Sequence, residues 1–538
     1  MTRPRLPALS SHALLLAGVG FVVAFGNFTF FSRVLAVFPA HGAVVLGLIS
    51  LVASLAALTT LFLIPLTLGR AVKPVLSVVL LLTALTAYFM DSYGVAIGTD
   101  MLRNVAETQW AEIADLLTLK LLVYLVLIGI LPVWLIWLVP IKWRGWRWEI
   151  GVRLGLALAL LLVIGAGVMG AGDFYASFIR EHKELRAYAN PAYPLTAAIK
   201  YAGMNLGFSG IQSDVSPIGT DAQIGSSDHH RELIFLVVGE TARADRFSLN
   251  GYARDTTPRL RAEKALSLTN FWACGSSTAV SVPCMFSSLG MQKFDPRRAL
   301  QQENLLDVAQ RAGVNVLWLD NNSSSKGVAA RVPSIDYRTP KNNPRCDTEC
   351  RDVGMLDSLQ QYIREHPKGD ILIVLHQMGN HGPAYYKRYP PEFEKFLPAC
   401  HNNDLTQCSV EEIGNAYDNA ILYTDYFLGQ AIELLKANDA EFETTLIYLS
   451  DHGESLGENG IFLHGLPRVL APDNQFHVPA VLWFGPGNPD VDVEALAAKR
   501  NLRFTHDNLF HTVLGLLEVE TSVYRKELDI LDGARRPE

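Results

Sequence analysis

The stretch IYLSDHGE at residues 447–454 is a short apolar run that ends in an aspartate, a histidine and a glutamate. A second apolar run, LVVGE at 236–240, also ends in a carboxylate, Glu240. Between the two runs lies CGSSTA at 274–279, a turn rich in hydroxyls. Carboxylate and imidazole groups at strand ends, with a hydroxyl in reach, suit a metal site that deprotonates an alcohol near neutral pH. The pattern therefore indicates group transfer at phosphorus.

Apolar runs and amphipathic segments alternate from residue 232 onward. Runs typical of strands buried on both faces lie at 233–238, 314–319, 371–375, 445–449 and 480–484. Helical patterns lie at 302–312, 354–365, 412–437 and 505–517. This order predicts an α/β domain in which helices sandwich a mainly parallel sheet. Reactive groups should gather beyond the carboxyl ends of the strands, where the sequence has Glu240, Asp320, His376, Asp451 and His452.

The N-terminal third of the chain is strongly apolar. The 538 residues have a mean hydropathy of +0.18 and only 18% charged residues, which is unusual for a soluble protein. Five segments of a length that crosses a bilayer lie near 11–32, 43–66, 74–91, 119–140 and 152–171. A cleaved signal peptide is the alternative for the first segment, but four more spans follow and no clear cleavage site is present. We therefore expect an N-terminal transmembrane domain of five helices.

Short-loop cations predict the orientation of this membrane domain. One side of the predicted membrane has Arg3, Arg5, Arg70, Lys73, Lys142, Arg144 and Arg147, and the other has only Arg33, Arg103 and Lys120. The positive-inside tendency then places the N-terminus in the cytoplasm and the large C-terminal part outside it. The formal net charge is -7 and there is no basic groove, so nucleic acid is not an expected partner.

The six cysteines give an independent indication of compartment. Cys274, Cys284, Cys346, Cys350, Cys400 and Cys408 all lie beyond residue 270. Their even number and close sequential pairs predict three local disulfides, 274 with 284, 346 with 350 and 400 with 408, although sequence alone allows fifteen connectivities. Disulfides indicate an oxidising compartment such as a periplasm. A zinc cluster is disfavoured because the chain has no Cys-x-x-Cys pair.

A connector made of two segments with different compositions joins the membrane part to the C-terminal part. Residues 174–201 mix aromatic and basic side chains, as a helix along a membrane surface would, and residues 209–227 are rich in Ser, Gly and Asp. The predicted domains are therefore 1–172 in the membrane, 173–230 as interfacial helix and linker, and 231–538 as a periplasmic catalytic domain.

Several motifs together carry a family resemblance. These are GETAR at 239–243, CGSSTAVSVPCM at 274–285, NNSSSKG at 321–327, HQMGNHGP at 376–383 and DHGES at 451–455. The chain resembles the lipid A phosphoethanolamine transferases, including the mobile colistin-resistance enzymes, which belong to the alkaline phosphatase superfamily. The resemblance extends over nearly the whole chain, with the five spans, the connector and the cysteine pairs.

The resemblance implies a zinc site made of Glu240, Thr278, Asp451 and His452, with Thr278 as the nucleophile. One zinc ion is expected and a second is left open. By chemistry alone Ser276, Ser277 and Ser281 are equally eligible nucleophiles. The structural alternative for Thr278 is a hydroxyl that caps the start of a helix.

Further residues are implied as substrate binders. His381 and His464 would bind the phosphoryl group or a second zinc, or protonate a leaving oxygen, although in Gly-rich loops each could be a plain surface histidine. Asn322 and Lys326 offer donors for phosphate oxygens, and Glu454 could contact the substrate amine. Asn104, Thr108 and Glu112 follow one another at i, i+4 and i+8, which places them on one face of a helix. The resemblance implies that this face handles the ethanolamine head group, and the alternative is the polar face of an interfacial helix.

The implied reaction is a two-step transfer of phosphoethanolamine from phosphatidylethanolamine to lipid A, through a phosphothreonine intermediate, by a monomer in the inner membrane. A cationic amine added to lipid A would confer polymyxin (colistin) resistance. Alternatives are transfer to a core sugar or glycan, phosphoglycerol transfer, or a non-catalytic membrane sensor. A sulfatase is disfavoured because Met285 stands where that family has arginine.

Overall fold

The computed structural model describes residues 7–42, 44–107, 110–206, 215–225 and 230–536. The chain forms two compact units. One comprises Met1–Leu102 and Leu117–Gly207, and the other comprises Arg103–Leu116 and Phe208–Glu538. Compactness does not test where the membrane part ends, so the boundaries at 172 and 230 stay a prediction.

The first unit is helical. Within the described residues, four helical stretches are long and apolar enough to cross a membrane: Val44–Leu66, Gly69–Tyr93, Leu119–Leu138 and Trp146–Gly170. The helices Ser11–Phe25 and Phe28–Val37 meet at a bend of 58° and count as a fifth span if they cross together. The bend lies at Asn27, whose side-chain amide donates to the carbonyls of Val22 and Asn190 instead of facing apolar surroundings. The five predicted segments thus all fall on apolar helices.

The five spans differ in how much of each is covered by the rest of the protein. Half of the apolar window of Gly69–Tyr93 is buried, but only 6% of that of Trp146–Gly170. The latter helix is held near its start by Glu149 and Arg153, which are both buried. Arg153 donates to the Thr67 hydroxyl and Glu149 accepts from the Ser11 hydroxyl. These buried polar contacts near its start add to packing of one face of the helix against Val44–Leu66.

The remaining helices of the N-terminal region are short. They are Thr99–Glu107, Trp110–Leu116, Gly172–Arg180 and Ala192–Leu206, with a 3-10 turn at Lys183–Tyr188. The predicted interfacial segment 174–201 is therefore several helical pieces. Of the predicted linker, the described part includes the strand Gln223–Ile224, which pairs with Val519–Glu520.

The second unit is built on an eight-stranded sheet. In chain order the strands are β1 Glu232–Gly239, β2 Leu266–Trp272, β3 Asn315–Asp320, β4 Ser334–Asp336, β5 Ile371–His376, β6 Glu443–Ser450, β7 His477–Phe484 and β8 Phe504–Thr505. Their spatial order is β8-β2-β7-β6-β1-β5-β3-β4. Only β7 runs against the other strands, pairing antiparallel with both β2 and β6. The predicted mainly parallel sheet is confirmed, with all five predicted strands in it.

Helices flank this sheet. They are Pro258–Ala262, Thr278–Met285, Pro296–Leu300, Leu305–Arg311, Leu359–Glu365, Val410–Lys436, Val493–Ala498 and Asp507–Leu516. β1 and β6 are buried at every residue, as expected for strands covered on both faces. The core between sheet and helices includes Trp318, Phe286 and Phe510, none of which is exposed.

The registers of the central strands bring their carboxyl ends level. Gly239 of β1 lies beside Ser450 of β6, and Val238 lies beside His376 of β5. Asp320 at the end of β3 pairs in turn with His376. Residues that follow these four strands therefore meet at one edge of the sheet.

The long helix Val410–Lys436 depends on its first turn. Ser409 and Glu412 form a capping box, in which the Ser409 hydroxyl accepts from the Glu412 backbone N–H and the Glu412 carboxylate accepts from the Ser409 backbone N–H. We expect Ser409→Ala to lower the stability of the protein by about 1 kcal/mol, because one backbone donor loses its partner. Thermal unfolding of the purified full-length protein checks this, with Ser409→Thr as the control that keeps the cap. Equal melting temperatures for the Ala and Thr variants would contradict the prediction.

Candidate active site

Four strand ends supply the side chains of the candidate active site. Glu240 follows β1, and Asp451 and His452 follow β6. Asn322 lies in the loop after β3, and the loop after β5 leads to His381. Glu240, Asp451 and His452 are fully buried, so strands that are buried along their whole length deliver ionisable groups into the interior of the protein.

Thr278 is the first residue of the helix Thr278–Met285. The turn before it is held by several contacts: the disulfide between Cys274 and Cys284 closes the loop, and the Ser276 hydroxyl donates to the carbonyl of Leu466 at 2.7 Å. The other two disulfides, Cys346–Cys350 and Cys400–Cys408, are also formed, so all three predicted pairs are confirmed. Val282 and Met285 on the same helix are buried in the core, which fixes the helix against the sheet.

The Thr278 hydroxyl lies against the acidic cluster. Its Oγ1 is 3.1 Å from Glu240 Oε2 and 3.4 Å from His452 Nε2. One donor atom from each of Glu240, Asp451 and His452 lies within 4.8 Å of the others. The four residues predicted as metal ligands are therefore together in the structure.

The donor set fits a zinc ion. His452 Nδ1 donates to the carbonyl of Gly453 at 2.8 Å, so Nε2 is the nitrogen that faces Glu240 and Thr278. Asp451 Oδ2 is buried and has no hydrogen-bond partner among the described residues. A buried carboxylate oxygen without a partner is costly, and a bound cation would satisfy it. One nitrogen and three oxygen donors are a combination that zinc accepts.

Electrostatics point the same way. Burial, and then repulsion from Glu240, raise the pKa of Asp451 to about 7. Burial disfavours the charged form of His452, but attraction from Asp451 and Glu240 prevails and raises its pKa to about 10. Without a metal ion, protons on Asp451 and His452 reduce the repulsion among the buried carboxylates, and a bound divalent cation would replace those protons.

Neighbouring loops hold Glu240 in place. Its carboxylate accepts from the Thr241 hydroxyl at 2.5 Å and from Asn322 Nδ2 at 2.7 Å. Gly379, in a left-handed backbone conformation, passes so close that a Cβ on it would lie 2.9 Å from the Glu240 carbonyl oxygen. Buried Asp352 fixes this loop by accepting from the backbone N–H groups of Met378 and Gly379. Sequence reasoning missed Asp352, since an aspartate before a helix predicts no such role.

His464, Glu454 and His381 form a second group beside the cluster. His464 Nδ1 lies 3.2 Å from Glu454 Oε1, and the Tyr385 hydroxyl donates to Glu454 Oε2 at 3.0 Å. The ring centroids of His452 and His464 are 4.2 Å apart, and those of His464 and His381 are 5.7 Å apart. Burial raises the pKa of Glu454 to about 8, although His452 and His381 oppose this. The structure thus brings three more predicted residues next to the Thr278 site.

The other predicted binders lie on a loop and on a helix. Lys326 is in the same loop as Asn322, and its Nζ donates to the carbonyl of Ser323 at 3.4 Å. Asn104 is in the helix Thr99–Glu107. Thr108 and the side chain of Glu112 lie outside the described residues, so the structure does not test the predicted helix face.

Asp115 is a further buried residue of this segment that sequence reasoning missed. It belongs to the second unit, where its carboxylate accepts from Lys387 at 2.5 Å and from Arg388 at 3.2 Å. Arg388 also donates to the carbonyl of His381 at 2.6 Å. One buried guanidinium therefore links the helix Trp110–Leu116 to the loop that carries His381.

His506 bridges the two halves of the candidate site. Its Nδ1 accepts from the backbone N–H of Cys274, so its Nε2 donates to the carbonyl of Ser450, each at 3.1 Å. It therefore joins the turn before Thr278 to Ser450, the last residue of β6, which directly precedes Asp451. His506 is fully buried, and burial lowers its pKa to about 3. Only the three-dimensional structure identifies this residue, because its sequence neighbours match no motif.

The lowered pKa of His506 predicts a pH dependence of stability. Folding excludes the proton, so the stability that neutral His506 contributes is present above the unfolded pKa of about 6.5 and is lost as the pH falls below it. The loss approaches about 1.4 kcal/mol per pH unit for one group. We expect the melting temperature of the full-length protein to fall between pH 7.5 and 5.5 more steeply than that of His506→Gln. His401→Gln, at an exposed position, is the control that should keep the steep slope, and parallel slopes in all three proteins would refute the prediction.

Comparison with known proteins gives consistent matches over the chain. A family model described as Phosphoethanolamine transferase EptA/EptB matches residues 55–206, and one described as Sulfatase matches residues 232–519. Phosphatidylethanolamine transferase Mcr-1 of Escherichia coli is 40% identical over 525 residues, which span 95% of this chain and 96% of that protein. Phosphoethanolamine transferase EptA of Salmonella typhimurium is 42% identical over 471 residues, 85% of each chain.

A solved structure agrees with these matches. The integral membrane protein lipooligosaccharide phosphoethanolamine transferase A (EptA) from Neisseria meningitidis has a TM-score of 0.94 and 35% identity, with 99% of this chain and 100% of that chain covered. The predicted fold class and the predicted location are thereby confirmed: a multi-pass inner-membrane protein whose α/β domain is periplasmic. The chain belongs to the phosphoethanolamine transferase family, within the alkaline phosphatase superfamily.

Proposed function

We propose that this enzyme transfers phosphoethanolamine from phosphatidylethanolamine to a phosphate of lipid A, with Thr278 as the group that carries it between the two lipids. The observation that supports this most directly is the position of Thr278. Its hydroxyl is at a helix start, 3.1 Å from Glu240 and 3.4 Å from His452. A plain capping hydroxyl would not need two ionisable groups buried against it.

Glu240, Thr278, Asp451 and His452 would hold one zinc ion. When bound, zinc lowers the pKa of a hydroxyl that it coordinates and withdraws charge from phosphoryl oxygens. The protein's own contribution is to fix these groups before substrate arrives, through the contacts of Asn322, Thr241 and His506 described above.

The first half-reaction forms a bond between Thr278 Oγ1 and the phosphorus of the donor lipid. The bond from phosphorus to the diacylglycerol oxygen breaks, and that oxygen takes up a proton. Backbone N–H groups in the first turn of Thr278–Met285 favour a phosphoryl group there, because a helix N-terminus attracts anions. Asn322 and Lys326 would contact the remaining phosphoryl oxygens.

The leaving oxygen needs a proton donor, and we assign His464 to that role, with His381 as the alternative. His464 Nδ1 is in contact with Glu454, whose raised pKa favours a proton near neutral pH. Glu454 and His464 Nδ1 can thus share a proton, while His464 Nε2 delivers its own proton to the diacylglycerol oxygen. In the second half-reaction an oxygen of a lipid A phosphate attacks the phosphorus and Thr278 is released.

The ethanolamine ammonium would be bound by acidic and polar groups. Glu454 is one candidate, and the face formed by Asn104, Thr108 and Glu112 is the other. The buried pairing of Asp115 with Arg388 supports the second, because it connects the helix Trp110–Leu116, which contains Glu112, with the loop of His381. Both substrates are lipids, so a membrane-bound enzyme need not extract either from the bilayer.

The product carries a new cationic amine on an anionic surface. Such a surface binds cationic peptides less strongly, so cells that express the enzyme should resist polymyxin and colistin. The acceptor distinguishes this proposal from transfer to a core sugar or another glycan and from phosphoglycerol transfer, and we expect the monomer to be the active form.

The mass of lipid A tests the nucleophile and the acceptor together. Cells that express the parent chain should produce lipid A heavier by one phosphoethanolamine group, and Thr278→Ala should abolish the gain. Ser277→Ala is a matched control, because the neighbouring Ser277 hydroxyl is buried without a hydrogen-bond partner among the described residues, and it should keep the modification. Unmodified lipid A with folded, zinc-loaded protein would reject lipid A as acceptor, and mass analysis of core sugars and other glycans would then identify the alternative.

Metal content tests the proposed ligands independently of activity. We expect about one zinc per chain in the purified protein, and much less in Asp451→Asn, since that change removes a charged ligand. Glu454→Gln should retain the zinc, because Glu454 contacts His464 and Tyr385 and is not among the proposed ligands. Elemental analysis of variants with native circular dichroism gives the answer, and full zinc occupancy in Asp451→Asn would remove Asp451 from the site.

A further inference from the structure

A second cluster of carboxylates lies at the opposite edge of the sheet from Thr278. Glu232 is the first residue of β1 and Glu443 the first residue of β6, and their backbones pair side by side. Asp490 comes from the loop after β7, the reversed strand, which ends at the same edge. One oxygen from each of the three lies within 4.8 Å of the others. The whole length of β1 separates this cluster from Glu240.

The two glutamates of the cluster are buried and have little positive charge near them. Glu232 and Glu443 are each only 4% exposed. Two of their oxygens, Glu232 Oε2 and Glu443 Oε2, are buried with no hydrogen-bond partner among the described residues. A buried carboxylate oxygen that lacks a donor costs on the order of 1–3 kcal/mol, so an inward-facing pair of them indicates a missing counter-charge.

Among the described residues, the counter-charge beside the cluster comes from a histidine that faces solvent. His230 Nδ1 lies 3.2 Å from Glu443 Oε1, but its side chain is 71% exposed. Arg231 directs its guanidinium to the carbonyls of His366 and Gly369. Asp370 adds a fourth carboxylate, which accepts from the backbone N–H of Glu232 at 3.0 Å.

We propose that Glu232, Glu443 and Asp490 bind a hard divalent cation of the calcium class. All three donors are carboxylates, which calcium prefers, whereas zinc in proteins favours sites with nitrogen or sulfur ligands. Asp490 is only half-buried, so water can complete the six to eight ligands that calcium takes. Sites exposed to extracellular calcium bind it at roughly 0.1–1 mM, and a similar affinity is expected here.

Such an ion would join three segments distant in sequence. It would fasten the starts of β1 and β6 to the loop at Asp490, at the end of the sheet away from the chemistry. Its role is therefore structural, and it is independent of the proposed transfer reaction.

The competing arrangement is a proton shared between Glu232 and Glu443. Burial, and then repulsion from Asp490, raise the pKa of Glu443 to about 7, and burial with repulsion from Glu443 raises that of Glu232. Shared protons would make the protein more stable at low pH, with the gain lost as the pH rises through about 7. A bound ion would make stability depend on calcium instead.

Calcium titration of the zinc-loaded full-length protein distinguishes the two. In metal-free buffer at pH 7.5 we expect added CaCl2 to raise the melting temperature and about one calcium ion to bind per chain. Glu443→Gln should lose both effects while it keeps its zinc and its transfer activity. Glu494→Gln, at an exposed acidic position just beyond the same loop, should respond as the parent does.

Two results would overturn the proposal. One is an equal calcium response in the parent and in Glu443→Gln. The other is a parent protein that ignores calcium but gains stability as the pH falls from 8 to 6, in a way that Glu443→Gln abolishes. If Glu443→Gln does not fold, Asp490→Asn serves in its place, because this half-exposed loop position tolerates the change more readily.

Discussion

The alignment of β1 with β6 is the constraint on which the candidate site depends. Because Gly239 lies beside Ser450, the next residues of the two strands, Glu240 and Asp451, are forced together in a fully buried space. Two buried carboxylates that lie close together repel each other strongly unless a positive charge lies between them. The register of the parallel sheet therefore fixes where the two carboxylates lie and also requires positive charge between them. His452, which follows β6, supplies part of that charge.

The surrounding residues hold these mutually repelling carboxylates in place. Asn322 and Thr241 each donate to one Glu240 oxygen, and Asp352 fixes the glycine-containing loop that packs on the Glu240 backbone. His506 must stay neutral to accept from one segment and donate to another. These contacts hold the acidic groups at fixed distances, so that little reorganisation accompanies the arrival of charge at Thr278.

The sequence predicted much of the fold because the central strands are extreme in composition. Runs such as 233–238 and 445–449 are apolar on both faces, which is a pattern of buried parallel strands, and both were found. The strands β2, β4 and β8 were missed because they are short or mix polar and apolar residues, as LSLTNFW at 266–272 does. The reversed direction of β7 could not be predicted, since the periodicity of a strand does not indicate whether it runs parallel or antiparallel to its neighbours.

The candidate site divides in the same way. Glu240, Thr278, Asp451 and His452 were identified through motifs, and the structure brings them together. His506, Asp352 and Asp115 were not, because each acts through backbone groups or partners more than a dozen residues away. Contacts of that kind depend on the folded topology and leave no local pattern in the chain.

The exposure of the helix Trp146–Gly170 to lipid affects how freely its sequence can vary. Only 6% of its apolar window is fully buried, and one face packs on Val44–Leu66. Lipid tails are the neighbours of its other faces, and they impose no particular side-chain shape. Selection on the residues of those lipid-facing sides can act on hydrophobicity and length alone, so they are free to drift among apolar residues. Divergence between related enzymes should accumulate there early, while Glu149 and Arg153 at its start are held by their polar partners.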